Sequence, residues 1–361
     1  MPVLDLQENF QTLDRENMLQ SIEDMPAQCM AAWEGMNSIT LPTHYIQANQ
    51  MILLGIGASR VAAEFVQAIA LKTSTIPIEV LTGPDLPTYV GSQTLVIAIS
   101  YTGNTREVAA AFRSAGERGA KLFGISAGGD LAALCRKYRA PYFSIQYGAQ
   151  PRAAIGYLIM PPLLALERLG FVEFETQDLL AKGVETLRQC AEILRPSVST
   201  PQNQAKQLAQ RLMGKIPVIL SPDFLRAGRH RFQMQLQENA KTFTVEVELP
   251  EGFHTFIADL KFPQSIASEL AFVLLRSQYE STGLREEYET LGTQLKQGHL
   301  QIEQIKLKDG NTFLDEQFGF LSWADYVSFY LALLNGVDPS QSGDMINIQA
   351  SKVGLKAFFQ T

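Results

Sequence analysis

From Met51 onward, short apolar runs alternate with stretches of helical composition, and this alternation constrains the fold more than any other feature of the chain. MILLGIG ends in glycines and is followed by the helix-like ASRVAAEFVQAIALK. IPIEVLTG, TLVIAIS, AKLFGIS and PYFSIQ read as further strands, with REVAAAFRSAGERG as a helix between the second and third of them. Strands that are apolar on both faces, each followed by a helix, form βαβ units and a parallel sheet covered on both sides. PRAAIGYLIMPPLLALERLG is read as one helix closing this unit at about residue 170.

A second α/β block follows. KIPVILS, KTFTVEVEL, SELAFVLLRS and LQIEQIKLK read as strands. Helices are expected around 223–240, over STGLREEYETLGTQLKQ and over FLSWADYVSFYLALLNG at 320–336. A chain of 361 residues favours two domains on length alone. The expected division is a helical N-terminal segment 1–48, a first domain 49–170, a helical connector 171–200 and a second domain 201–361 with C-terminal helices.

Composition removes several classes of function. The net charge of −7, with 19% charged residues, lacks the basic surplus of a nucleic-acid binder. The start, MPVLDLQENF, has no basic and apolar leader, and no apolar run reaches the roughly 18–20 residues of a membrane helix. A cytoplasmic location, with no membrane partner, is therefore expected. Cys29, Cys135 and Cys190 are odd in number and widely spaced, which argues against a disulfide framework. His44, His230, His254 and His299 show no HExxH spacing, so neither a metal nor a cofactor is expected.

The strongest chemical signal is Ser100-Tyr-Thr102-Gly103-Asn104-Thr105, between a buried strand and a helix. A helix N-terminus offers unpaired N–H groups and partial positive charge, and hydroxyls add donors beside it, so a phosphate can seat there. The plainer reading is an N-cap, with Asn104 and Glu107 as a capping box. Gly55-Ile-Gly57-Ala58-Ser59-Arg60 is a second strand-to-helix turn. It suggests a dinucleotide loop with Glu79 as the ribose acid, but Arg60 stands in place of the third glycine. Ser59 offers instead another phosphate donor. Arg152, after Pro151, is either a surface cation or a group placed against developing negative charge. Along RHRFQMQLQENAK and the turn before it, the residues Leu225, Phe232, Leu236 and Ala240 fall on one helical stripe, and Glu238 lies near the helix end as a solvated acid or a proton-abstracting base.

Taken together these segments resemble the bifunctional phosphoglucose/phosphomannose isomerase family, built from two sugar-isomerase (SIS) domains of flavodoxin-like fold with mostly parallel sheets. SYTGNT resembles the family's phosphate loop, GIGAS its glycine-rich loop, PRAAIGY its Pro-Arg segment and RHRFQMQLQENAK its catalytic-glutamate segment. DYVSFYLALLNGVDPS is similar to the family's C-terminal helix and Val-Asp-Pro motif, where Ser340 stands in place of a threonine hydroxyl. The resemblance implies a sugar phosphate held by Gly57, Ser59, Ser100, Thr102 and Thr105, and Glu238 moving a proton between C1 and C2 through a cis-enediol. It implies Arg152 beside that intermediate, His254 opening the sugar ring from a partner subunit of a homodimer, and Lys352, or else Lys356, assisting. The implied reaction interconverts glucose 6-phosphate, and also mannose 6-phosphate, with fructose 6-phosphate. Gly-Phe-His254-Thr-Phe departs from the family pattern, so a non-catalytic sugar-phosphate binder is the competing reading, ahead of a dinucleotide-dependent oxidoreductase.

Overall fold

The computed structural model describes residues 3–5, 8–173, 178–255, 264–307 and 312–341. Helices α1 (Glu8–Leu13), α2 (Met18–Glu23) and α3 (Met25–Met36) precede the first sheet. The order then runs β1 (Gln50–Leu54), α4 (Ala58–Ala70), β2 (Ile78–Leu81), β3 (Thr94–Ile99), α5 (Arg106–Glu117), β4 (Lys121–Ser126), α6 (Gly129–Tyr138), β5 (Tyr142–Ser144) and α7 (Ile155–Arg168). The strands pair in parallel in the order β2-β1-β3-β4-β5, the flavodoxin-like doubly wound arrangement.

The apolar runs read as strands because both sheet faces are covered. In β3, Leu95, Ile97 and Ile99 enter the core shared with α4 and α7, while Val96 and Ala98 enter the core shared with α5 and α6. Successive side chains point to opposite faces, so a strand buried on both sides loses any polar alternation.

The second half continues with α8 (Leu179–Leu194), α9 (Gln204–Leu212), β6 (Ile216–Pro222), α10 (Arg226–Glu238), β7 (Val245–Leu249), α11 (Glu251–Thr255), α12 (Gln264–Ala267), β8 (Leu270–Arg276), α13 (Thr282–Gln297), β9 (Gln301–Lys306) and α14 (Phe313–Leu334). Its parallel sheet has the order β7-β6-β8-β9, which repeats the first four positions of the other sheet. Helix α14 is buried on all sides and packs against α8, α9 and α10. A helix with apolar residues on every face belongs in an interior, and the acids of α14 are buried with it. Its Leu314, Phe318 and Leu321 join the first sheet's core while Phe320, Trp323 and Val327 join the second's, so α14 contributes to both cores.

Three expected elements differ. The single helix over 151–170 is a 3-10 turn at Pro151–Ala153 followed by α7. The strand expected over KTFTVEVEL keeps only its last five residues, because Lys241 turns the chain through a left-handed conformation (φ 54°). Helix α14 begins at Phe313, before the expected start at 320, because Thr312 and Asp315 form a reciprocal capping box.

Candidate active site

Two helix N-termini meet the C-terminal edge of the first sheet. Gly57 (φ 60°) caps α4, and Ser59 lies buried in its first turn. Gly55 is required by packing, because a Cβ there would lie 2.6 Å from the Ser59 carbonyl oxygen. Gly55 thus serves the close approach of α4, and Gly57 supplies the positive φ at its start. Arg60 is turned along its own helix to Glu64 (2.8 Å), and Glu79 accepts the Tyr89 hydroxyl.

The 100–105 loop is held by hydrogen bonds on both sides. The Ser100 N–H donates to Ile125, and the Ser100 and Thr105 hydroxyls lie 2.9 Å apart. Thr105 is the N-cap of α5 but makes no side-chain cap bond. The Asn104–Glu107 capping box is not formed. Asn104 Oδ1 instead accepts the Asp130 N–H at 3.1 Å, which ties the loop to the start of α6. Thr102 is exposed, and its hydroxyl accepts the Asn104 N–H at 3.2 Å. Gly103 (φ 73°) passes so close to the 126–129 loop that a Cβ would sit 1.9 Å from the Gly128 carbonyl oxygen. Gly103→Ala is therefore expected to displace the loop and raise the inhibition constant of inorganic phosphate by about tenfold or more, a loss of one well-placed polar seat. Phosphate inhibition kinetics would check this.

Tyr101 links the loop to the turn that bears Arg152. Its hydroxyl donates to the Tyr147 carbonyl and accepts the Ala149 N–H at 2.9 Å, just ahead of Pro151-Arg152. Arg152 is 3% exposed and spreads its guanidinium over distinct partners. Nε donates to Asn239 Oδ1 (2.8 Å), Nη2 to the carbonyls of Pro339 (2.9 Å) and Ser340 (3.1 Å), and Nη1 lies 3.2 Å from Glu238 Oε2. Burial draws the Arg152 guanidinium below its ordinary pKa, while Glu238 acts in the opposite direction. The surface-cation reading of Arg152 does not hold.

Glu238 closes α10 with its side chain 44% exposed, open to a ligand on one side and faced by Arg152 on the other. An anion at a helix C-terminus is disfavoured by the helix dipole. Lys241 offsets this: its ammonium donates to the Glu238 carbonyl (2.5 Å) and to the Asp338 carbonyl (3.2 Å). Burial and nearby Arg152 lower the Lys241 pKa. The expected stripe on α10 is present, with Leu225, Phe232, Leu236 and Ala240 all buried in the second core.

Asn239 and Lys241 join the site although neither is a candidate from the sequence. Asn239 is fully buried between Arg152 and the Ser328 hydroxyl (3.1 Å). The only sequence signal for Lys241 is a cation placed just beyond a helix end. Ser340 contributes its carbonyl; its buried hydroxyl is engaged by Asp338 and by the Glu16 N–H at 3.1 Å. His254 is exposed on α11, which packs on β7. Among the described residues it is not a hydrogen-bond or ion-pair partner of Glu238 or Arg152. Lys352 and Lys356 lie outside the described residues. Among the described residues no cluster of potential metal ligands forms, and no helix is long and apolar enough to cross a membrane.

Hydroxyl loops and helix N-termini at the edge of one parallel sheet, with a second sheet of the same order whose helix α10 carries the carboxylate, define a double-SIS-domain sugar-phosphate protein. Residues 44–138 match the SIS domain family, and residues 201–348 match the bacterial phospho-glucose isomerase C-terminal SIS domain. A bifunctional phosphoglucose/phosphomannose isomerase of Caldicellulosiruptor bescii is 30% identical over 326 residues, covering 90% of this chain and 95% of that protein. Another of the same name from Aquifex aeolicus is 25% identical over 291 residues, covering 80% and 86%. The chain belongs to the bifunctional phosphoglucose/phosphomannose isomerase family. In fold it is like the C-terminal domain of glucosamine-fructose-6-phosphate aminotransferase from Francisella tularensis, with a TM-score of 0.68 at 14% identity over 91% of this chain and 98% of the other.

Proposed function

We propose that the protein is an aldose–ketose isomerase that interconverts glucose 6-phosphate and mannose 6-phosphate with fructose 6-phosphate. The observation that carries this reading is the Arg152–Glu238 pair, a half-open carboxylate faced by a buried cation and separate from the hydroxyl loops. The phosphate is the remote handle, seated by Gly57, Ser59, Ser100, Thr102 and Thr105, and it sets the sugar in register. Glu238 takes the proton from C2 of the open-chain aldose and returns it to C1, while the hydroxyl proton passes from O2 to O1. The electron pair passes through a cis-enediolate, and no net oxidation occurs. Arg152 stabilises the developing oxyanion. His254 opens the ring from a partner subunit, Lys352 assists from the C-terminal tail, and the active form is a homodimer in the cytoplasm. The domain limits follow the division at residues 48, 170 and 200.

A coupled assay with glucose 6-phosphate and mannose 6-phosphate tests this. Turnover of both is expected. Binding of both without turnover overturns it in favour of a sugar-phosphate sensor.

A further inference from the structure

Glu64 is a buried carboxylate that the proposed chemistry does not use. Its side chain is 2% exposed in the middle of α4. One oxygen accepts Arg60 Nε at 2.8 Å on the same helix, and the other lies 3.0 Å from His230 Nδ1 on α10. Burial alone would raise this carboxyl's pKa, but the His230 hydrogen bond and charge, together with Arg60, hold it below the ordinary range. The contact joins the two halves of the molecule, since α4 covers the first sheet and α10 follows the first strand of the second.

The two helices carry the two halves of the proposed site. Ser59 lies roughly 8 Å along α4 from Glu64, and Glu238 lies roughly 12 Å along α10 from His230, at 1.5 Å per residue. Helix α4 packs against both α10 and the turn that bears Arg152. On α10, Ala227, His230, Met234 and Glu238 fall on one stripe by helical spacing. Ala227 and Met234 of this stripe enter the first sheet's core, whereas Phe232 and Leu236 face the second. The apolar members that α10 brings to the joint are thus a small residue and an unbranched, adaptable one, which specify axial register weakly. A buried charged hydrogen bond is directional and is lost on a shift of about 1 Å.

We infer that Glu64 and His230 form a register pin, a positioning pair that fixes the distance between the phosphate seat at the start of α4 and the base at the end of α10. The inference rests on the proposed isomerase reading. A pair that merely stabilised the fold would not separate the binding of phosphate from turnover, but a pin does. The phosphate seat lies wholly in the first half of the chain and survives a slip, whereas the base moves away from the sugar. A misplacement of about 1 Å costs up to about a hundredfold in rate.

The test compares wild type, Glu64→Leu, Glu64→Gln and His230→Leu in the isomerase assay, with inorganic phosphate as the inhibitor and circular dichroism to confirm folding. Glu64→Leu is expected to lower kcat by about tenfold or more, with KM and the phosphate inhibition constant within about twofold of wild type. Glu64→Gln keeps a polar group for each partner and is expected to restore most of kcat. His230→Leu leaves Glu64 on Arg60, should reproduce the loss, and decides the matter if Glu64→Leu does not fold. Unchanged kcat in the folded leucine variants overturns the pin alone, as does an equal loss of phosphate affinity and turnover. A wild type without isomerase activity overturns the functional reading and the pin with it.

Discussion

Glu238→Gln is expected to lower kcat by about a thousandfold, within the range of about 10²–10⁴ for removal of a general base, while inorganic phosphate inhibits or binds as in wild type. The amide has the shape of the carboxylate and keeps an oxygen for Arg152 Nη1, now at 3.2 Å, so the buried arginine retains a partner. What it loses is the capacity to take a proton. The phosphate seat is built on other elements, the starts of α4 and α5, and Glu238 touches neither among its described partners. Binding and turnover therefore separate cleanly. Solvent-hydrogen incorporation at C2 should fall with kcat, because the same carboxylate carries the proton in both directions. Glu238→Asp draws the carboxylate back by about one bond length, and a near-attack geometry lost by that amount is expected to cost up to about a hundredfold. Wild-type turnover by Glu238→Gln would mean that another group is the base.

Much of this fold is legible in the sequence for one physical reason. A strand covered on both faces has no polar side, so TLVIAIS and KIPVILS stand out as unbroken apolar runs. Loop chemistry at strand ends is legible as well: Ser100, Thr102 and Thr105 crowd into a few positions beside a glycine that the packing demands. The partners of Arg152 are not legible in this way. Pro-Arg marks a turn, but nothing local indicates that the guanidinium is buried against Asn239 and two carbonyls from the segment after α14. The misplaced start of α14 has a different cause. Thr312 and Asp315 form a capping box ahead of an apolar stretch that has no periodicity to mark its boundary. The Glu64–His230 contact is silent in sequence because each residue, taken alone, reads as a surface helix position. Only the packing of α4 on α10 puts them together.

Replacing Arg152 is expected to damage both turnover and stability, and the conservative change to lysine is expected to fail almost as badly as Arg152→Met. The guanidinium directs Nε, Nη1 and Nη2 to separate partners: Asn239, Glu238 and the carbonyls of Pro339 and Ser340. An ammonium keeps the charge but is a compact donor on a flexible stem and cannot reproduce this fixed fork. In Arg152→Met the Asn239 Oδ1 and the Pro339 carbonyl lose their donor inside the protein, at about 1–3 kcal/mol for a buried polar group left unsatisfied, whereas the Ser340 carbonyl keeps the Gln150 amide. Glu238 is half exposed, so water takes up much of its lost charge partner and the ion pair itself adds little. The expected loss of stability is therefore a few kcal/mol, read as a lower midpoint in urea, and it comes mainly from the neutral acceptors. Turnover should fall by about a hundredfold or more, as for loss of an oxyanion-stabilising donor. Exogenous guanidinium at concentrations below those that unfold the protein should restore part of the activity to Arg152→Ala and none to Glu238→Gln. Arg152→Lys with more than about a third of wild-type kcat, a loss smaller than one hydrogen bond to a charged group, would show that charge suffices and that the geometry of the fork is unimportant.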